Sequence, residues 1–245
     1  SVLLTQLGMD GFGDHIINEL QKVNVNVNHI TRTSKANTGL AFVSLKEDGN
    51  REFSFYRNPS ADLLMSKEDV DKTIFNTGDI LHFCSVDLVD SPMKDTHNFV
   101  LEIARKNGCL ISFDPNVRLP LWKDHNRYKK VINEYIGYAD ILKISDEELE
   151  FITGTSNIEK ALKVLFRENV KVIIYTKGPE GAVVFTKSNQ YSHNGFKVVA
   201  VDTTGAGDSF IGAFIFKILD LKIDAKELSN YSYTPIVTFA NGVGA

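Results

Sequence analysis

The chain has 245 residues, of which 43% are hydrophobic and 24% charged, and its formal net charge is −4. That apolar content excludes general disorder and suffices for a sizeable core, and one α/β domain of this length is ordinary. The charge excludes bulk attraction to nucleic acid or to an anionic membrane, so neither is an expected partner and any phosphate affinity must be local.

Residues 2–8, VLLTQLG, read as a buried strand, followed by Asp10-Gly11-Phe12-Gly13-Asp14 as turn and cap and by an amphipathic helix to about Val23. Residues 24–36 are polar and turn-rich. From Thr38, TGLAFVSLKEDGNREFSFYR gives two alternating runs joined by Glu47-Asp48-Gly49-Asn50, a hairpin signal. Its Phe42, Phe53 and Phe55 would either cover a sheet or close over a ligand as a lid. Asp62 to Asn76 is expected to be helical. Strands are then expected at 79–86 and 108–114, flanking a helix at 92–106, and a helix at 126–138 leads to a strand at 139–145.

Ser145-Asp146-Glu147-Glu148 has the spacing of a capping box. A helix at 158–168, a strand-to-turn run at 169–178 and a strand at 182–186 follow, and Ala225 to Val243 reads as a final helix. This alternation predicts a mostly parallel sheet with helices on both faces, in which ligands bind beyond the carboxyl ends of the strands. Asp114, Asn116 and Arg118, then Ser145, then Thr176 to Gly181, then Asp202 to Asp208 all fall at such ends.

Cys84 and Cys109 lie inside apolar runs and read as small buried hydrophobes. The six histidines show no ligand spacing, so no structural metal is expected. The longest apolar stretch, Phe210 to Leu221, is short and broken by Lys217 and Asp220, and no leader pattern is visible. A cytoplasmic location is expected.

The chemistry concentrates in residues 198–219, VVAVDTTGAGDSFIGAFIFKIL: a β-branched run (Val198 to Val201), a small-residue turn (Asp202 to Asp208) and a buried helix (Ser209 to Leu219). A helix start attracts anions through its unpaired N–H groups and macrodipole, and Gly205, Ala206 and Gly207 let main-chain amides approach a phosphoryl oxygen. Asp208 is an acid where phosphate is expected. Either it accepts a proton from an attacking hydroxyl, or it and Ser209 simply cap the helix.

In Asp114-Pro115-Asn116-Val117-Arg118-Leu119-Pro120-Leu121-Trp122, Arg118 would either clamp a phosphate or stack on Trp122. TKGPEG (176–181) suits either a nucleotide contact or a plain turn. Neither a Walker A sequence nor G-x-G-x-x-G occurs.

As a whole, D-T-T-G-A-G-D-S-F resembles the C-terminal signature of the ribokinase-like sugar kinases, the PfkB family, and the likeness runs through essentially the whole chain. F-Y-R-N-P-S-A-D (55–62) and F-D-P-N-V-R-L-P-L-W (113–122) look most like the fructokinases, the second being partly shared with 2-keto-3-deoxygluconate kinases. The resemblance implies a single α/β/α sandwich domain over residues 1–245, with a mostly parallel sheet and a small β lid that includes residues 37–58. It implies ATP as phosphoryl donor and Mg²⁺ as cofactor.

On that resemblance, Asp208 is the catalytic base and the amides of Gly205, Ala206, Gly207 and Asp208 form the anion hole. Ser145, Thr176, Gly178, Gly181 and Asn241 line the nucleotide site. Glu148 keeps the acidic position of the family's N-x-x-E motif and acts indirectly on Mg²⁺, with Ser145 in place of the asparagine. Arg57, Asn58, Asn116 and Arg118 contact the sugar or its reacting phosphate. Asp202 and Thr204 mark a monovalent cation position, K⁺, and the lid implies a homodimer.

The acceptor is expected to be fructose. Alternatives are 2-keto-3-deoxygluconate or another sugar, and a catalytically silent sugar- or nucleotide-binding homologue. The family's N-terminal sugar-binding strand and its final strand are not matched, so a chain truncated at both ends is expected.

Overall fold

The computed structural model describes residues 1–45, 51–199 and 202–245. In chain order the elements are β1 (Thr5–Gly8), α1 (Gly11–Lys22), β2 (Ile30–Thr33), β3 (Leu40–Leu45), β4 (Arg51–Tyr56), β5 (Ile80–Cys84), α2 (Pro92–Lys106), β6 (Leu110–Asp114), α3 (His125–Ile136), β7 (Ile141–Ser145), α4 (Asp146–Thr153), α5 (Ile158–Leu165), β8 (Val172–Thr176), β9 (Ala182–Phe185), β10 (Gln190–His193), α6 (Ala206–Asp220) and α7 (Thr234–Gly244). They divide into two compact units. The first comprises residues 1–74, 86–103 and 118–123, and the second residues 75–85, 104–117 and 124–245.

In the first unit β1 and β2 pair in parallel, and β3 and β4 form an antiparallel ribbon with Leu40 opposite Tyr56 and Leu45 opposite Arg51. The expected hairpin strands are therefore present, while the turn at Glu47 to Asn50 lies outside the described residues. Phe42 stays 55% exposed and packs edge-on against Tyr56, at 5.3 Å between ring centroids. Asp10 caps α1. One of its oxygens accepts from the Gly13 N–H at 2.9 Å and from the Thr38 hydroxyl at 2.8 Å, and the other from the Thr38 N–H at 2.8 Å. Those bonds hold its carboxyl below the ordinary range and tie the helix start to Thr38, just ahead of β3.

The second unit is built on one six-stranded sheet, ordered β10-β9-β8-β7-β6-β5. β5 to β8 run parallel; β9 and β10 are antiparallel additions at one edge. Strand side chains alternate between faces, so the register fixes which residues share a face. Ile80, Leu110, Ile141, Val172 and Ile174 face the side covered by α6 and α7 and form a core with Phe210, Phe214, Ile218, Ile236 and Val237. The opposite face is apolar across β5, β6 and β7. There Phe83 stacks on Phe113 at 4.5 Å and meets Tyr135 of α3 edge-on at 6.1 Å, and Tyr128, Ile132 and Ile136 of α3 are fully buried.

Several boundaries differ from the expected ones. Residues 62–76 form three short 3-10 turns, with no α-helix. The final helix starts at Thr234, nine residues later than expected. Asp224 accepts the N–H groups of Lys226 and Glu227 and locks a turn there, whereas Pro235 fits a first helical turn, where its missing N–H costs nothing. β2 and β10 are four-residue strands inside stretches that read as polar. The helix that closes the 198–219 run starts at Ala206, three residues before the expected Ser209. Val198 and Val199 are not in a strand, and Ala200 and Val201 lie outside the described residues. Among the described residues no helix is long and apolar enough to cross a membrane.

Candidate active site at the carboxyl end of the second unit's sheet

The α6-facing side of the sheet changes character along its length. Toward the amino ends it is apolar, as described above. Toward the carboxyl ends the same face carries His82, Ser112, Asp114, Lys143, Ser145 and Thr176, all in phase with the apolar residues that precede them. The first turn of α6 belongs to this polar end, since a Cβ added at Gly207 would lie 3.5 Å from the Lys143 ammonium.

Gly205 is the N-cap of α6 with φ +82°, a left-handed conformation that favours glycine, and no side chain caps the helix. Asp208 sits in the first helical turn and is exposed; it is not the cap. The capping alternative for Asp208 and Ser209 therefore does not describe the structure. The Ala206 N–H donates to the Thr203 carbonyl at 3.2 Å, but no side chain caps the helix start, and an accessible carboxylate shares its first turn, the arrangement needed for holding an anion beside a proton acceptor. A Cβ at Gly205 would meet nothing within 4 Å, so the approach is open.

Beneath this turn Lys143 Nζ and Asp114 Oδ2 are 2.6 Å apart, with side chains only 7% and 4% exposed. Asp114 is pushed up to about 6, by burial first, with the nearby Glu148 and Asp208 carboxylates adding to the effect and Lys143 opposing it. Its Oδ1 is buried with no hydrogen-bond partner among the described residues. His82 Nδ1 lies 3.0 Å from Ser112 Oγ, and crowding by protein atoms followed by the Lys143 charge holds the imidazole below its usual range, although water still reaches the ring.

Asp114 to Val117 is fixed from several sides. Ser85 Oγ donates to the Pro115 carbonyl and bonds Tyr128 Oη at 2.6 Å, and Glu148 Oε1 accepts the Val117 N–H at 2.6 Å. Asn116, between these anchors, takes φ +47°. Glu148 Oε2 accepts the Ser145 N–H at 2.9 Å, the reciprocal half of the expected capping box, so the one carboxylate braces β6 and β7 ends together.

Thr176 ends β8. Gly178 and Gly181 both have positive φ, and a Cβ at Gly181 would meet the His193 carbonyl at 2.0 Å, so that glycine is required by close backbone packing. Asn241, 8% exposed, directs Nδ2 at His193 Nδ1 and at the His193 carbonyl, each at 3.2 Å, joining α7 to β10. Asp202 accepts the Thr204 N–H at 2.8 Å, which puts both in one exposed turn.

Arg57, Asn58 and Arg118 belong to the first unit. There Arg57 is held by Asp62 and Asp87 together and donates to the Val86 carbonyl at 3.2 Å, so its charge is already matched by two carboxylates. Asn58 is exposed, and Arg118 precedes the 3-10 turn at Leu119–Leu121. Lys143 and His82 were not among the residues expected from sequence. The available signal for Lys143 was a charged residue inside the apolar run ILKIS (141–145).

A family model described as pfkB family carbohydrate kinase matches residues 1–245. Fructokinase-2 of Solanum habrochaites is 40% identical over 221 residues, covering 90% of this chain and 67% of that protein. Among solved structures, a fructokinase from Xylella fastidiosa with bound ATP has a TM-score of 0.91 at 30% identity and covers 99% of this chain and 77% of the other. A fructokinase from Vibrio cholerae O395, in a form with fructose, ADP and calcium ion bound, has a TM-score of 0.89 at 30% identity, with 100% and 78% covered.

Proposed function

The chain belongs to the pfkB family of carbohydrate kinases, with the ribokinase-like α/β fold, and from that premise we propose that it transfers the γ-phosphoryl group of ATP to the primary hydroxyl at C6 of free fructose. The observation that carries this reading is the uncapped, glycine-lined start of α6 with Asp208 in its first turn. The fructose- and ADP-bound relative supports the choice of sugar and nucleotide.

In the proposed reaction the sugar oxygen attacks the γ-phosphorus in line, the bond to the β–γ bridging oxygen breaks, and ADP departs. The hydroxyl proton passes to Asp208. The amides of Gly205, Ala206, Gly207 and Asp208 receive the phosphoryl oxygens as charge spreads over them, and catalysis is mainly positioning. Mg²⁺ bound with the nucleotide would offset the charge of its phosphates. The residues present fit that role at one remove: both Glu148 oxygens already accept backbone N–H groups, which suits contact with the metal through water.

Ser145, Thr176 and Gly178 would face the nucleotide, while Gly181 and Asn241 shape the wall behind it. Asn116, and Arg57, Asn58 and Arg118 of the first unit, are assigned to the sugar. A K⁺ at Asp202 and Thr204 belongs to the same reading, as does a homodimer contact on the β3–β4 ribbon, whose Phe42, Val43 and Tyr56 are exposed.

The test is Asp208→Asn. Turnover should fall on the order of a thousandfold, as expected for loss of a general base, with ATP affinity nearly unchanged. Near-normal turnover in that variant, or no fructose-dependent ADP release from the wild-type chain, would overturn the assignment.

A further inference from the structure

A buried ion pair is a poor way to stabilise a sheet. Taking an ammonium and a carboxylate out of water costs several kcal/mol per ion, and apolar residues of similar volume often serve better. Lys143 and Asp114 are both more than nine-tenths buried on the face that, nearer the amino ends of the strands, packs Ile80, Leu110, Ile141 and Val172 under α6 and α7. Their place in the sheet is therefore the informative feature. Lys143 lies two residues along β7 from Ile141, on the same face, where Ile141 packs under α6, and its ammonium reaches the underside of the first α6 turn at Gly207. Asp114 spends Oδ2 on that ammonium, and its Oδ1 has no hydrogen-bond partner among the described residues.

We infer that Lys143 is a positioning residue for phosphoryl transfer, held by Asp114 beneath the first turn of α6 so that its fixed positive charge adds to the amides that receive the transferred phosphoryl group. This rests on the kinase reading above. Lys143 forms no bond in the reaction. It acts by being charged at one place. A water-based cation would have to reorganise as charge develops, whereas an ammonium pinned by a buried carboxylate is already in position, and preorganised charge in a water-poor site is worth more than the same charge in solvent.

The bland reading is that Lys143 merely neutralises Asp114. Two variants of the full chain separate the readings: Lys143→Met, and Lys143→Met with Asp114→Asn, in which no uncompensated carboxylate is left. For each, the kcat with ATP, Mg²⁺ and fructose is measured, together with the Kd for ADP and the Kd for ADP plus fluoroaluminate in the presence of fructose. Fluoroaluminate stands in for the phosphoryl group in flight.

Both variants are expected to lose about 100-fold or more in kcat and in fluoroaluminate-complex affinity, the scale of one preorganised oxyanion donor, while ADP affinity stays within about threefold. If the double variant keeps kcat within about threefold, Lys143 only neutralises Asp114 and the inference fails. Equal losses for ADP and for the fluoroaluminate complex would mark a structural role and overturn it as well. A wild-type chain that binds no ADP and releases none from ATP with fructose would instead sink the kinase reading itself.

Discussion

Two buried aspartates show how position along a strand decides what a residue is for. Asp140, fully buried at the amino end of β7, accepts the Ile111 N–H at 3.0 Å and is bracketed by Arg105 at 2.9 Å and Lys171 at 3.3 Å. Its Oδ1 accepts no hydrogen bond among the described residues but has the Lys171 ammonium beside it, so both oxygens face a cation, which is what a structural clamp looks like. Asp114, at the carboxyl end of β6, keeps an unpartnered oxygen and a carboxyl held up at about 6. Asp140→Ala strands the Ile111 amide and removes the partner of two cations. It should cost about 2 kcal/mol or more of stability by urea unfolding while the folded fraction keeps wild-type kcat. A loss of kcat without loss of stability would contradict that division.

Asp114 behaves in the opposite way. Its carboxyl titrates near 6 in the folded chain and near 3.8 when unfolded, so between those pH values the folded protein holds a proton that the unfolded chain has released. This group's stabilising contribution is therefore complete below about pH 4 and is lost as pH rises through about 6. Asp114→Asn should flatten that slope, which for a shift of this size amounts to roughly 3 kcal/mol across the window. Urea midpoints for the two chains that stay parallel from about pH 4 to about pH 7 would show that Asp114 titrates in the ordinary range.

At the scale of elements, the parallel sheet and its helices were legible because each carries two consistent signals, a periodic apolar pattern and a terminal punctuation mark. α2 falls at Pro92–Lys106 as its pattern predicts, and Ser145 and Glu148 mark the start of α4. β2 and β10 were not legible, since four residues with few apolar side chains carry no periodicity above that of a loop. The site was read in part. Gly205 to Asp208 announce themselves by composition, but Lys143 does not, because a lysine in a strand reads as an interruption until the register shows which face it is on.

Gly181 was read as either a turn or a nucleotide contact, and the packing shows what its turn demands. With φ +83° and the His193 carbonyl and Gly195 nitrogen 2.0 and 2.4 Å from where a Cβ would lie, Gly181→Ala must displace the backbone just before β9 or that at the end of β10. The expected cost is about 2 kcal/mol or more in chemical denaturation, by strain alone, without any ligand present. A variant as stable as wild type would leave only the nucleotide to explain the glycine.

At the scale of the whole chain, the residues assigned to the nucleotide (Ser145, Thr176, Gly178, Gly181, Gly205 to Asp208 and Asn241) all come from the second unit, although they span nearly a hundred positions of sequence. They converge because parallel strands bring the ends of β7 and β8 side by side, with Ser145 opposite Thr176, and because Gly181 and Asn241 both meet His193 at the end of β10. With a net charge of −4, the chain offers ATP no long-range attraction, so binding must come from this edge alone. A ligand that binds only the folded state raises its stability by mass action, about 2.7 kcal/mol at a hundred times Kd, and slows amide exchange where the structure it needs must open. Added without sugar, ATP and Mg²⁺ should therefore slow hydrogen exchange in β7, β8, α6 and α7, leave β1 to β4 of the first unit unchanged, and do so equally in Asp208→Asn. Protection confined to the first unit would mean that the nucleotide is read by other residues, and protection lost in Asp208→Asn would make Asp208 a binding residue whose removal says nothing about proton transfer.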